Sequence, residues 1–180
     1  MIAVIRREAR QPQGLMVWLL ISIFTIALTA CATVDEVEKN PMHSFSFDTR
    51  HDSPDVEVLD YQYGSNHVGV RAERERVALG QSFPSENVSG PMPRGKFLYV
   101  KWRLINRMKP SEYIGTYEDR VDLTARLPDD MMNLRVHFII KGPQLYIYLI
   151  SPSDVRPLIA GPVKRYSSQK QVQIYPDIAK

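Results

Sequence analysis

The chain is short of the residues on which many small extracellular domains and metalloproteins depend. It has one cysteine, Cys31, among 180 residues, so no disulfide can form within it. Its four histidines show no HxH or HxxxH spacing, which argues against a zinc site. A GxSxG nucleophile motif is also missing, and the stretch NVSG at 87–90 lacks the first glycine. We therefore expect no metal, no cofactor and no catalytic set.

The sequence also lacks a strong charge of either sign. Its formal net charge is +3, and its first 30 residues contain three arginines and one glutamate. Removing that segment takes away two positive charges and leaves about +1. A nucleic-acid partner is therefore not expected.

One long hydrophobic run lies near the start of the chain. Residues 14–30, GLMVWLLISIFTIALTA, contain no charge, and Arg6, Arg7 and Arg10 precede them. A basic start, an apolar run and small residues at its end are typical of a secretory signal peptide. A transmembrane anchor is the alternative, because roughly 17 to 25 apolar residues can span a bilayer.

The run ends at Leu28-Thr29-Ala30-Cys31, which resembles the lipobox of bacterial lipoproteins. The resemblance implies that the Cys31 thiol receives a diacylglycerol, that cleavage occurs just before it, and that the new amino group is acylated. A chance cysteine in a membrane-spanning helix is the alternative. Ala32 stands where an aspartate would favour retention at the inner membrane. The expected location is therefore the outer membrane, with the domain facing the periplasm and the lipid on Cys31 contacting the membrane.

The chain divides into three predicted parts. Residues 1–30 form the signal peptide, residues 31–54 the lipidated cysteine and a polar tether, and residues 55–180 a single domain. About 150 residues remain after cleavage, which is enough to bury a core without disulfides.

Alternation of apolar and polar residues predicts a mainly β domain, either an antiparallel sandwich or a small barrel. In 96–105, KFLYVKWRLI, every second residue from Leu98 to Leu104 is apolar. The runs 134–141 and 144–150 flank Gly142-Pro143 and predict a β-hairpin. Weaker strand candidates are 45–47, 56–63, 68–71, 117–123 and 171–175, and the segments 72–79 and 129–133 could each be a short helix or a turn.

Three segments, GPMPRGKFLYVKWR, YEDRVDLTARLP and VHFIIKGPQLYIYLI, together resemble an uncharacterised family of proteobacterial lipoproteins. The resemblance covers most of the chain after Cys31. It implies an anchored envelope lipoprotein, and it brings neither catalytic residues nor a ligand.

The loop Gly90–Gly95 is the most distinctive connection in the sequence. Two prolines stiffen it and two glycines permit unusual backbone angles, with Arg94 near its tip. One interpretation is a preformed contact loop in which Arg94 reaches an acidic or phosphate group of a partner. The other is a rigid lead into the central strand.

Three tyrosines are further candidates for partner contact. Tyr99, Tyr146 and Tyr148 could share one face with Lys101 and Arg103, a composition suited to protein recognition. They could equally form a second packed face of a sandwich.

The remaining polar residues give no catalytic constellation. Glu118 and Asp119 are adjacent on a predicted strand and should point to opposite faces. Asp129-Asp130 is typical of a turn or helix cap. His137 falls on the polar face of its strand, so we expect it to be exposed.

These patterns predict a noncatalytic envelope lipoprotein whose β domain binds a protein or another envelope component. One alternative is a small-ligand or glycan-binding module, which a tyrosine-lined pocket would favour. Another is an immunity or accessory lipoprotein of a secretion system. An enzyme would become the better hypothesis if His137 and a carboxylate converged in a cleft.

Overall fold

A computed structural model describes residues 40–64, 68–109, 111–152 and 160–178. The hydrophobic run, Cys31 and His67 lie outside these residues, so the predictions made for them stay predictions. Lys39–Lys180 form one compact unit. None of the helices among the described residues is long and apolar enough to cross a membrane.

The described part of the chain is built from nine strands and three short helices. The strands are β1 (Met42–Asp48), β2 (Val56–Gly64), β3 (Gly69–Arg71), β4 (Ser85–Pro91), β5 (Phe97–Ile105), β6 (Tyr113–Asp122), β7 (Arg135–Lys141), β8 (Gln144–Ser151) and β9 (Lys170–Tyr175). The helices are α1 (Thr49–Asp52), α2 (Arg74–Ala78) and a 3-10 helix (Lys164–Tyr166).

The strands form two sheets that pack as a sandwich, which confirms the predicted fold class. One sheet has the order β4-β1-β7-β8-β9 and the other β3-β2-β5-β6. Described neighbours are antiparallel except β1 and β7, which pair in parallel. The core between the sheets contains large, fully buried side chains, among them Phe45, Phe47, Tyr61, Leu98, Trp102 and Phe138.

The strongest alternation signals are confirmed. Leu98, Val100, Trp102 and Leu104 all face the core from β5. Strands β7 and β8 form the predicted hairpin, in which Lys141 pairs with Gln144 across the two-residue loop Gly142-Pro143. Gly142 has a φ of 58°, a value that favours glycine, and proline supplies the negative φ that follows in a type II′ turn.

The predicted boundary between tether and domain at residue 54 is wrong. Strand β1 lies in the middle of the five-stranded sheet, between β4 and β7. Phe45 and Phe47 are 0% and 1% exposed. The polar residues around Phe45 and Phe47 made this core strand hard to recognise, because only its inner face is apolar. On its outer face Ser44 and Ser46 form hydrogen bonds with Ser89 and His137.

The two segments left open between helix and turn have different outcomes. Residues 74–78 form α2. Residues 129–133 contain a turn, in which the Asp130 carboxylate accepts a hydrogen bond from the Met132 N–H at 2.8 Å. Asn133 follows with a φ of 60°, which would interrupt a right-handed helix.

Candidate functional site

The outer face of the five-stranded sheet is partly covered by the segment 160–169. Val163 is fully buried there, and it packs with Ile139, Tyr148 and Ile150 in a second small core. Tyr148 is 4% exposed, which fits a packed face and not a partner contact. Tyr146 is half-buried at the edge of the same cluster, with the Lys141 ammonium 5.4 Å from its ring centroid.

The prediction that His137 is exposed is wrong. Its side chain lies on the outer face of β7, as the alternation requires, but it is 0% exposed because the 3-10 helix covers that face. The ring of Tyr166 meets it edge-on, with centroids 5.5 Å apart. His137 Nδ1 lies 2.8 Å from Ser46 Oγ, and Nε2 lies 3.3 Å from Asp52 Oδ2.

We call Ser46, Asp52 and His137 the buried network. The second oxygen of Asp52 accepts a hydrogen bond from the Lys164 N–H at 2.9 Å, so this carboxylate joins α1 to the 3-10 helix. Burial lowers the pKa of His137 and outweighs the opposing effect of Asp52, which leaves the ring neutral at pH 7. A carboxylate only accepts, so Nε2–H donates to Asp52 and the Ser46 hydroxyl donates to Nδ1.

The buried network contains the residue types of a serine-hydrolase triad without its arrangement. In a hydrolase the serine contacts Nε2 and the carboxylate contacts Nδ1, whereas here the contacts are reversed. Ser46, His137 and Asp52 are 1%, 0% and 9% exposed, so no substrate reaches them in this conformation. His137 and a carboxylate do converge, but in packed protein and not in a cleft.

A second buried network fixes the Gly90–Gly95 loop. His43 Nδ1 donates to the Pro41 carbonyl at 2.9 Å, and the Tyr63 hydroxyl donates to His43 Nε2 at 2.9 Å. The same hydroxyl accepts from the Gly95 N–H at 3.2 Å. A Cβ on Gly95 would lie 2.3 Å from the Tyr63 ring, so this position requires glycine.

Arg94 is occupied by contacts within the fold. Its guanidinium donates to Asp129 Oδ1 at 2.9 Å and to the carbonyls of Thr124 and Leu127 at 2.7 and 2.5 Å. The side chain is 30% exposed. These contacts give Arg94 a positioning role beside the start of β5, in agreement with the interpretation of a rigid lead, and its contact with a partner stays a prediction.

Tyr99 lies on the outer face of the four-stranded sheet, opposite to the side that holds Tyr146 and Tyr148. The prediction that the three tyrosines share one face is therefore wrong, because β5 and β8 belong to different sheets. Burial and the neighbouring Glu118, whose carboxylate accepts from the Tyr99 hydroxyl at 3.2 Å, raise the pKa of Tyr99 to about 12.

Glu118 and Asp119 point to opposite faces, as predicted. Glu118 contacts Tyr99 on the outer face, whereas Asp119 accepts from the Tyr175 hydroxyl of the other sheet at 2.9 Å. A shared substrate between these carboxylates is therefore ruled out in this geometry.

Tyr99 also lines a cavity of about 370 Å³ between the four-stranded sheet and α2. Asp60, Arg71 and Arg74 share its wall. Burial raises the pKa of Asp60, against smaller opposing effects of the Tyr61 N–H and Lys101. The cavity therefore combines a carboxylate, two guanidinium groups and an aromatic ring.

A basic pocket of about 480 Å³ is formed by residues of α1 and the 3-10 helix, the two elements that Asp52 joins, together with the end of β1. Its described lining residues are Asp48, Arg50, His51, Lys164 and Arg165. The pocket is not predictable from the sequence, because its two halves are more than 110 residues apart in the chain and neither half is a run of charged residues.

Asp48 is the organising group of the basic pocket, and its side chain is 2% exposed. Arg50 Nε lies 3.2 Å from Oδ1, His51 Nδ1 lies 3.0 Å from Oδ2, and Arg165 Nη1 lies 3.8 Å from Oδ2. Burial pulls the pKa of Asp48 upward, but the hydrogen bonds and charges of Arg50 and His51 outweigh it and hold the pKa below its usual range. The surrounding basic side chains stay 46–65% exposed.

Within the described ranges, no group of three or more His, Cys, Asp or Glu residues is placed to hold a metal ion. The S-x-x-K spacing at Ser167 and Lys170, which some serine nucleophiles use on a helix, falls on the end of the 3-10 helix and the start of β9.

Comparison of the chain with family models, curated proteins and solved structures finds no match.

Proposed function

We propose that the chain is a noncatalytic, lipid-anchored envelope lipoprotein whose β domain binds another envelope component through the basic pocket. The observation that carries the proposal is the exposed set of cationic side chains held around one buried carboxylate, Asp48. Basic side chains that are both positioned and exposed favour recognition of an acidic partner. The groups best suited to catalysis, Ser46 and His137, are enclosed in the protein.

The anchor part of the proposal is supported by the sequence at Cys31. One acyl chain gives only marginal membrane binding and each buried methylene adds about 0.8 kcal/mol, so the three chains of a mature lipoprotein attach it stably. Ten residues separate Cys31 from Met42, where β1 begins. Such a segment spans at most about 40 Å when extended. The domain would therefore work close to the membrane surface, and Ala32 favours the outer membrane.

The test is in-cell crosslinking of the tagged full-length protein, followed by mass spectrometry of the protein and its adduct. We expect a mass without residues 1–30 and with acyl chains on Cys31. Cys31→Ala should be neither acylated nor normally cleaved. Unchanged processing of that variant would contradict the anchor and favour the transmembrane alternative.

The binding part is tested in the same cells with pocket variants. Arg50→Gln/Arg165→Gln should lose a reproducible crosslinked component that the wild-type protein retains. Arg107→Gln is the matched control, because Arg107 is an exposed arginine paired with a carboxylate, Asp55, outside the pocket. Equal crosslinking by wild type and the double variant would refute the basic pocket as the binding surface.

A small-ligand module is the second candidate, and the cavity at Tyr99 favours it. A carboxylate and guanidinium groups can hydrogen-bond to hydroxyl groups while a tyrosine ring stacks on a sugar face. Tyr99→Ala should then abolish a saturable change of tryptophan fluorescence during titration with soluble envelope glycans. A flat titration with the wild-type protein would count against this candidate.

A further inference from the structure

The described residues that line the basic pocket do not balance one another in charge. Among them Arg50, Lys164 and Arg165 each carry a positive charge, and Asp48 is the one acidic residue. The Asp52 carboxylate is absent from this described lining and accepts from His137 Nε2–H and the Lys164 N–H. The described lining residues therefore carry an excess of about two positive charges when His51 is neutral, and about one when the Asp52 carboxylate is counted as well.

The segments that carry the positive groups are held in place on both sides of the pocket. On the α1 side, the Asp48 carboxylate caps the helix through the Arg50 N–H at 3.2 Å and also holds the Arg50 guanidinium. On the other side, the backbone of Lys164 is fixed by its bond to Asp52, and the guanidinium groups of Arg165 and Arg135 lie 5.9 and 4.9 Å from the ring centroid of Tyr166. Part of the ordering cost of binding is therefore met by the fold itself.

We infer that the basic pocket binds a phosphate-type oxyanion, either free or as a lipid headgroup. Guanidinium groups match the oxygens of a phosphate in shape, and a phosphomonoester carries about −1.5 to −2 charges at pH 7, opposite in sign to the excess in the pocket. The inference deepens the proposed function and rests on it for the binding role. The reach of about 40 Å from Cys31 places phosphate headgroups within range of the domain.

The test uses the mature acylated chain in maltoside micelles, which contain no phosphate. Inorganic phosphate is titrated while the NMR signals of the His51 ring and the Arg165 side chain are followed. We expect saturable shifts whose apparent Kd rises with ionic strength. Arg50→Gln/Arg165→Gln should weaken binding by about tenfold or more, because charge-assisted hydrogen bonds are lost.

Two further variants separate binding from folding. Arg50→Gln removes a partner of the buried Asp48 and could disturb the fold, whereas the Lys164 side chain lines the pocket and only its backbone N–H bonds to Asp52. Lys164→Gln should therefore weaken phosphate binding at unchanged thermal stability. Lys109→Gln replaces another exposed lysine outside the pocket and should leave the apparent Kd within about twofold of wild type.

The source of the phosphate is distinguished by repeating the titration in nanodiscs of phosphatidic acid, a lipid whose headgroup is a phosphomonoester. If headgroups occupy the pocket, the His51 signal starts in its shifted position and added phosphate changes little. If the ligand is a free phosphate compound, the titration matches that in micelles. Absence of saturable shifts in micelles, equal weakening by Lys109→Gln, or tight binding of polyglutamate that phosphate cannot displace would overturn the inference. Acylation of Cys31 is measured independently by mass spectrometry, so a failure of the phosphate inference can be distinguished from a failure of the proposed lipid anchor.

Discussion

Replacing Asp52 with alanine is expected to destabilise the domain strongly, although its carboxylate is fully buried and takes part in no surface ion pair among the described residues. The carboxylate is buried and accepts from two donors, His137 Nε2–H at 3.3 Å and the Lys164 N–H at 2.9 Å. Each buried donor left without an acceptor costs about 1–3 kcal/mol, so the variant should lose about 2–6 kcal/mol. This is a large share of the 5–15 kcal/mol typical of a domain.

The assay is equilibrium urea unfolding followed by tryptophan fluorescence. With a urea slope of about 2 kcal/mol per molar, the midpoint for Asp52→Ala should fall by about 1–3 M. Asp177→Ala is the control, because Asp177 also bonds to a cation but its side chain is 82% exposed. It should change the free energy of unfolding by no more than about 1 kcal/mol. Equal midpoints for the two variants would refute the assigned importance of the buried network.

Asp52→Asn tests the proton positions in the same network. The asparagine oxygen can still accept from the Lys164 N–H, while its amide group donates toward His137 Nε2. His137 should then change to the tautomer with its proton on Nδ1 and donate to Ser46 Oγ. The ¹⁵N shifts of the ring measure this change, and an unaltered tautomer would contradict the assigned donor directions. The loss of stability should be smaller than for alanine.

Other variants test the remaining contacts. Gly95→Ala forces a Cβ against the Tyr63 ring and should cost about 1–3 kcal/mol in urea unfolding. Arg94→Ala should lower Tm, because three acceptors lose their donor, whereas a purely partner-binding role predicts an unchanged Tm. Burial lowers the pKa of both His43 and His137. The unfolded state therefore binds more protons below about pH 6.5, so stability should be complete above that pH and fall toward pH 5. His43→Gln should flatten the decline.

The sandwich is predictable from the sequence because apolar and polar residues alternate along the strands that form its inner faces. Every second residue from Leu98 to Leu104 in β5 and from Val136 to Ile140 in β7 is apolar and buried. A period of two residues, which is that of a strand, places each of these sets on one face. The hairpin follows from Gly142-Pro143 between two such runs. These are local signals, and each needs only one strand and its neighbour.

The burial of the outer face of the five-stranded sheet is not predictable from the sequence, because the residues that cover this face lie far away in the chain. Alternation gives the side of the sheet on which His137 lies, but not whether water or protein meets that side. The cover comes from the segment around Val163 and Tyr166, whose own sequence has no strong period. Serine and tyrosine are compatible with both solvent exposure and burial, so the residue types at Ser46 and Tyr148 do not show that these side chains are buried.

The basic pocket is likewise not predictable from any one segment, because its residues come from 48–51 and 164–165. Buried contacts between the elements that carry these residues determine how the pocket is assembled. The parallel pairing of Ser46 with His137 aligns β1 with β7, and the chain then turns through α1 directly after Asp48. That turn places Asp52 over His137, and Asp52 in turn fixes Lys164 beside Arg50. A chain of buried polar contacts thus determines which cations become neighbours at the surface. The pocket should accordingly be lost when the buried network is broken, even though neither Ser46 nor His137 lines it.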